Sequence, residues 1–209
     1  NSPYVYPGGL KIYNAGEGAA DMGTNVSMLT ATAKSTNTAF VDMSAQMDNG
    51  PKKIYRTMLA AGLPPEEADE EFPGIPSRSV DLSPEDSLIT LGKARVSPIN
   101  MANSYATFAN FGERADVHVV SKVVETDGET SFSRTIDTVQ AIDPEVNADT
   151  VYALQEVVKS GSGTAAQGIN RPAAGKTGTA TAGSSQDTSH VSSSWFAGFT
   201  PQLATAVMY

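Results

Sequence analysis

The sequence contains no cysteine in its 209 residues. That excludes a disulfide framework and a thiolate metal site, and leaves the redox compartment unread. Histidine is scarce. His118 stands in Asp116-Val117-His118-Val119-Val120, which reads as a strand, and His190 in a Ser/Thr-rich loop. Their separation gives no metal-ligand spacing, so no metal and no cofactor is expected. Positive charge is also in short supply: 14 Lys and Arg stand against 23 Asp and Glu, a net charge of -9. With no basic run to offset that balance, a sequence-independent affinity for nucleic acid is excluded. No stretch approaches the roughly 18 apolar residues of a membrane span. Asn1 opens without a signal-peptide pattern, and the chain stops within the apolar run Ala204-Thr205-Ala206-Val207-Met208-Tyr209, so both termini read as internal to something longer.

What is present is a 40% hydrophobic chain, enough for one domain with a sizeable core or a large part of a bigger one. Its most distinctive stretch runs Ala173-Ala174-Gly175-Lys176-Thr177-Gly178-Thr179-Ala180-Thr181-Ala182. Small residues, one cation and several hydroxyls suit a strand that another backbone can approach closely, with Gly178 removing a side chain at the point of approach. A carboxylate-bearing peptide fits such an edge. Gly175-Lys176-Thr177 also ends a Walker phosphate loop, but Asn170 stands where that pattern needs glycine and Pro172 lies inside the would-be loop. The run Gly178-Thr179-Ala180-Thr181-Ala182-Gly183 beyond it is poor helix material.

Residues 1 to about 25 read as extended or looped, and the sequon Asn25-Val26-Ser27 is a pattern common by chance. Two short helices are expected around a Ser35-Thr36-Asn37 break, which on its own would serve as a helix cap. A helix from about Gly50 stops at Gly62, and the acidic run Glu66 to Glu71 reads as solvated surface. Ser97 caps a helix with Pro98 at its first position and Met101, Tyr105, Phe108 and Ala109 on one face. A hairpin is expected from Val117–Glu125 and Thr130–Ile136, then a helix opening at Asn147 and stopping at Ser160-Gly161-Ser162-Gly163. That Gly-x-Gly comes after a helix, so it is not a dinucleotide fingerprint. The Lys-Thr-Gly strand, the loop 183–192, a strand over Ser194–Pro201 and another over Leu203–Met208 then give an α+β fold, an antiparallel sheet flanked by helices. Trp195 and Phe196 are expected to pack that sheet.

Four stretches stand in the order of one family's signatures: Ser35-Thr36-Asn37-Thr38-Ala39-Phe40, Ser97 to Ala106, Ala174-Gly175-Lys176-Thr177-Gly178-Thr179, and Trp195-Phe196-Ala197-Gly198-Phe199-Thr200-Pro201. The chain resembles the C-terminal part of the transpeptidase domain of class A, bifunctional penicillin-binding proteins, a relative in fold of the serine β-lactamases. The family's acyl-transfer site has three motifs: Ser-x-x-Lys, Ser-x-Asn and Lys-Thr-Gly. No lysine here has a serine three residues before it, and Thr90-Leu91-Gly92-Lys93 is the nearest imitation. The resemblance therefore implies that residues 1–209 are one portion of a single domain, with the nucleophile-bearing segment upstream.

It further implies Ser35 and Lys176 as catalytic groups, with Ser35 relaying a proton toward the leaving nitrogen beside the Lys176 ammonium. Asn37 would hold the donor peptide's amide. Thr177 and Thr179 would bind its terminal carboxylate, with the Thr179 N–H in the oxyanion hole, and Gly178 would let the substrate pair with the strand edge. The expected activity is peptidoglycan D,D-transpeptidation through a serine acyl-enzyme, acting on the D-Ala-D-Ala end of a stem peptide and inhibited by β-lactams. The family implies a site on the extracytoplasmic face of the bacterial membrane, anchored only through an upstream segment. A nucleophile-less muropeptide or β-lactam sensor is the alternative; β-lactam hydrolysis is disfavoured by the signatures at Ser97–Ala106 and Trp195–Pro201. The 209 residues alone are expected to be inactive, having no nucleophile to acylate. Residues 186–190 would lie beside the groove.

Overall fold

The computed structural model describes residues 3–15, 23–67, 78–181 and 191–209. A small hairpin comes first, β1 (Tyr4–Val5) paired with β2 (Lys11–Ile12) around the Pro7-Gly8-Gly9 turn. Three helices come next: α1 (Met28–Lys34), α2 (Asn37–Gln46) and α3 (Gly50–Ala61). A 3-10 turn at Ile89–Leu91 leads to α4 (Pro98–Ala109) and the strands β3 (Glu113–Ala115), β4 (Lys122–Val124), β5 (Thr130–Ser133) and β6 (Thr138–Gln140). The last part holds α5 (Pro144–Ser160), β7 (Ala174–Thr181), β8 (Val191–Thr200) and β9 (Leu203–Met208).

The expected α+β architecture is borne out. Strands β7, β8 and β9 form an antiparallel sheet in that order, with Lys176 opposite Ala197 and Gly178 opposite Trp195. Helix α4 packs on β8 and β9, and α5 on β7. Between helices and sheet lies one apolar core, in which Leu154, Ala174 and Phe199 are buried against Tyr105, Phe108, Val151 and Ala204. Tyr105 meets Phe108 edge-on at 5.9 Å, and burial pushes the pKa of its hydroxyl up to about 12. A second core gathers Leu63, Leu82 and Ile89 against the apolar face of α3. Thr107 joins α4 to α3, its hydroxyl donating to the Ala61 carbonyl at 2.9 Å.

Local chemistry sets the helix ends. Ser97 caps α4 by accepting from the Asn100 N–H, with Pro98 at the first position. Helix α5 starts about one turn earlier than the Asn147 expected. Asp143 accepts from Glu145 and Val146 N–H groups, and Pro144 fills the first helical position. Asn147 is instead a buried tie, donating to the Phe108 carbonyl at 3.1 Å. The hairpin is shorter than expected because both its strands are solvent-exposed and no core extends the pairing. His118 lies outside any strand, its Nδ1 3.2 Å from the Asp116 carbonyl. The pairing of β3 with β6 had no clear signal in so short a run. The acidic run beyond Glu67 and residues 182–190, His190 included, lie outside the described residues.

Two glycines set how closely these elements approach. A Cβ on Gly161 would stand 2.2 Å from the Ala33 carbonyl oxygen, and one on Gly175 would meet Phe196 Cζ at 2.7 Å and the Ala197 carbonyl oxygen at 2.8 Å. Gly178 differs: its Cβ would meet only Trp195 Cβ, at an ordinary 3.4 Å. Gly161→Ala and Gly175→Ala should each destabilise the fold by about 1–3 kcal/mol through overpacking. Gly178→Ala should leave the thermal midpoint nearly unchanged; a loss at Gly178 equal to that at Gly175 would contradict this account of the packing.

Candidate active site

Helix α1 begins at Ser27, whose Oγ accepts from the Thr30 N–H at 3.1 Å. It ends at Ser35, a left-handed residue with φ 56° and ψ 50°. The turn is closed by Ser35 N–H to the Thr32 carbonyl at 3.2 Å and Thr36 N–H to the Ala31 carbonyl at 2.9 Å. Glycine would adopt this backbone without strain, whereas serine costs roughly 1 kcal/mol and keeps a hydroxyl. That hydroxyl has a use in the fold. Lys176 Nζ, from the first half of β7, donates to Ser35 Oγ at 2.7 Å and also to the Thr177 carbonyl at 3.1 Å.

The surroundings of Lys176 explain its titration. Among the described residues no ion pair includes it, and both oxygens it meets are uncharged. Burial without a counter-charge lowers the pKa of its ammonium from 10.5 to about 8. At neutral pH it remains largely a cation, able to polarise the Ser35 hydroxyl.

Its neighbours in β7 continue along the free strand edge. Thr177 is half-buried, with Oγ1 2.7 Å from Ser162 Oγ in the loop after α5. Thr179 is exposed and stands opposite Ser194. The β7 edge away from β8 has no strand partner among the described residues. No packing within the described residues and no positive φ requires glycine at position 178.

Asn37 opens α2 and is half-buried. Its Nδ2 donates to the Tyr13 carbonyl at 3.1 Å, while Asn14 Oδ1 accepts from the Thr38 N–H at 2.9 Å and so caps α2 from a distant segment. The Tyr13 contact orients the Asn37 amide and uses one of its two N–H groups. Phe196 packs as expected, its ring lying against Gly175 and Gly198, while Trp195 is half-buried and its Nε1 donates to Ser193 Oγ at 3.2 Å.

Thus Ser35, Lys176 and Thr177 are joined by hydrogen bonds, Asn37 stands two positions after Ser35, and Gly178 and Thr179 continue the same strand. Sequence reasoning missed Ser162, Tyr13 and Asn14. Ser162 was visible only as a serine between two glycines in a helix stop. Lys93, of the nearest Ser-x-x-Lys imitation, pairs with Asp86 at 3.1 Å and takes no part here. Among the described residues no group of His, Asp and Glu could hold a metal.

A sheet of this topology, backed by α4 and α5 and carrying a lysine of its edge strand against a serine at a helix end, defines the fold class of penicillin-recognising transpeptidase domains. PonA1 of Mycobacterium tuberculosis shares it: its complex with penicillin V superposes with TM-score 0.76 at 28% identity over 99% of this chain and 52% of that one. A second structure of PonA1 gives TM-score 0.78 at 26% identity over 99% and 51%. The chain belongs to the penicillin binding protein transpeptidase domain family, whose model matches residues 2–209. Penicillin-binding protein 1A of Mycolicibacterium smegmatis is 33% identical over 205 residues, and that of Mycobacterium tuberculosis 32%. In both cases the match takes in 95% of this chain and 24% of the relative, so the chain spans about a quarter of their length.

Lys176 binds its proton more weakly in the folded protein than in the unfolded chain, so its burial opposes folding below about pH 8 and that cost is relieved as pH rises to 10.5. Thermal midpoints of the wild type and Lys176→Met, measured across this interval, should shift relative to each other in favour of the wild type as pH rises. A constant difference would show that burial does not depress the lysine.

Proposed function

We propose that this chain is the part of a peptidoglycan D,D-transpeptidase domain that carries the Ser-x-Asn and Lys-Thr-Gly elements. The observation that carries the reading is the 2.7 Å hydrogen bond from Lys176 Nζ to Ser35 Oγ, between residues 141 positions apart. In this reading a serine on the remainder of the domain, upstream of Asn1, attacks the penultimate carbonyl of a D-Ala-D-Ala stem peptide. Its O–H proton passes by way of Ser35 to the leaving D-alanine nitrogen. The acyl-enzyme ester is then attacked by an amine of a second strand, which gives up a proton as the serine hydroxyl is restored. Lys176, as the ammonium, keeps Ser35 Oγ in place and polarised.

Recognition uses the β7 edge. The donor peptide lies along it as an added strand, with Gly178 offering no side chain in its way. Its terminal carboxylate meets the hydroxyls of Thr177 and Thr179. The Thr179 N–H contributes to an oxyanion hole, a donor whose removal costs roughly 3 kcal/mol of transition-state stabilisation in a comparable site. Asn37 holds the donor's amide. β-Lactams acylate the same serine because their strained amide and carboxylate imitate the donor.

The opposite edge of the sheet supports a division of one domain. Leu203, Val207, Met208 and Tyr209 on and after β9 are exposed, an apolar surface suited to further strands or helices of the same domain. Among the described residues no helix is long and apolar enough to cross a membrane. We place the domain on the extracytoplasmic side of a bacterial membrane, held by an upstream anchor, because its substrate is assembled there.

Fluorescent penicillin and intact-mass analysis of the full-length protein test the reading. The adduct should form on a serine upstream of Asn1, and none should form within residues 1–209. Ser35→Ala and Lys176→Ala should each slow acylation about 100-fold or more. Acylation of a residue in this chain would overturn the assignment, and binding of penicillin with no adduct anywhere would favour a sensor.

A further inference from the structure

Ser162 is the one hydroxyl outside β7 that touches Thr177 or Thr179 by a direct hydrogen bond among the described residues, at 2.7 Å from Thr177 Oγ1. Its backbone is held: the Ser162 N–H donates to the Ala33 carbonyl at 3.0 Å, and the Gly163 N–H to the Val157 carbonyl at 3.0 Å. The flanking glycines fit tightly, Gly161 against Ala33 and Gly163 against Val157 Cγ1, where a Cβ would stand at 3.2 Å. The loop therefore presents the Ser162 side chain from a fixed base, and that side chain is solvent-exposed beside Thr177.

Two hydroxyls in contact own two protons and use one between them. Whichever donates, one O–H remains for an incoming acceptor, and it is polarised by the bond behind it. A carboxylate laid on β7 would receive that proton. We propose that Ser162 is a positioning residue that acts through Thr177 to set the site's preference for a donor with a free carboxylate. The proposal rests on the reading of Thr177 as a carboxylate contact. Ser162 fixes the Thr177 rotamer and completes the donor chain; without it the threonine hydroxyl rotates freely and must find the carboxylate unaided.

The test compares acylation of the full-length protein by benzylpenicillin and by its methyl ester, in which the carboxylate is capped, with adduct formation followed by intact mass. Ser162→Ala keeps the backbone N–H that bonds Ala33. It should lower the acid-over-ester preference about tenfold, the loss expected when a hydrogen bond serving a charged acceptor is removed, while the ester rate stays near that of the wild type. Ser162→Thr should restore the preference, and Thr177→Val should abolish it. If Ser162→Ala slows acid and ester equally, or Ser162→Thr fails to restore the ratio, the role is structural and the proposal falls. An unchanged ratio in Ser162→Ala beside a collapsed one in Thr177→Val overturns the proposal alone. An unchanged ratio in Thr177→Val overturns both the proposal and the carboxylate reading beneath it.

Discussion

The whole site depends on a close approach of two backbones. The Ala33 carbonyl, in the last turn of α1, accepts the Ser162 N–H at 3.0 Å, and Gly161 has no Cβ to keep the two chains apart. This contact seats the end of α1 on the end of α5, and α5 itself packs on β7. Ser35 is the next residue but one after Ala33, and Ser162 comes directly after Gly161. One backbone junction therefore places both hydroxyls beside the strand that carries Lys176 and Thr177. The side-chain bonds are consequences of that junction. Isolated exposed pairs could not impose it, since each contributes too little to fix two helices against a strand.

Electrostatics at this junction are set by absence. The chain carries a net charge of -9, yet among the described residues Lys176 has no carboxylate for a partner. A carboxylate there would cancel the cation and raise its affinity for protons. Neutral oxygens do neither. They orient the ammonium, leave its charge uncompensated, and let burial bring its titration down to about 8. Carboxylates that do pair with a cation stand elsewhere, as in the exposed pairs Lys52–Glu85 and Arg95–Asp81.

Much of this was legible in the sequence because it is written in local residue types. The Ser35-Thr36-Asn37 break, the Ser97-Pro98 helix start, the Gly62 stop and the three consecutive C-terminal strands each rest on a few adjacent residues. The structure has them where the chemistry of caps, turns and alternation puts them. The missed features depend on partners far along the chain. Asn14 caps α2 across a 24-residue separation, a contact that the residues around Thr36 do not announce. Ser162 resembled part of a helix stop because its neighbours are glycines; that they are glycines to admit Ala33 and Val157 is visible only in three dimensions. The start of α5, by contrast, is local: Asp143-Pro144 is a strong start signal that lies upstream of the apolar period beginning at Val151.

Two residues of the candidate site depart from local expectation, although positive φ at a non-glycine residue also occurs away from it, at Asn49, Asp81, Phe111 and Asn170. Ser35 holds a left-handed backbone that glycine would hold with less strain, and Gly178 occupies a strand position where the fold tolerates a side chain. The first keeps a hydroxyl at a cost in conformational energy; the second gives up strand propensity with no return in packing. The fold itself uses the Ser35 hydroxyl to hold Lys176, but packing among the described residues gives no reason for glycine at position 178. A ligand that needs a hydroxyl beside the lysine and open backbone a short step further along β7 accounts for both. Open backbone at Gly178, near the Ser35–Lys176 bond, thus supports the proposed site without reference to any motif.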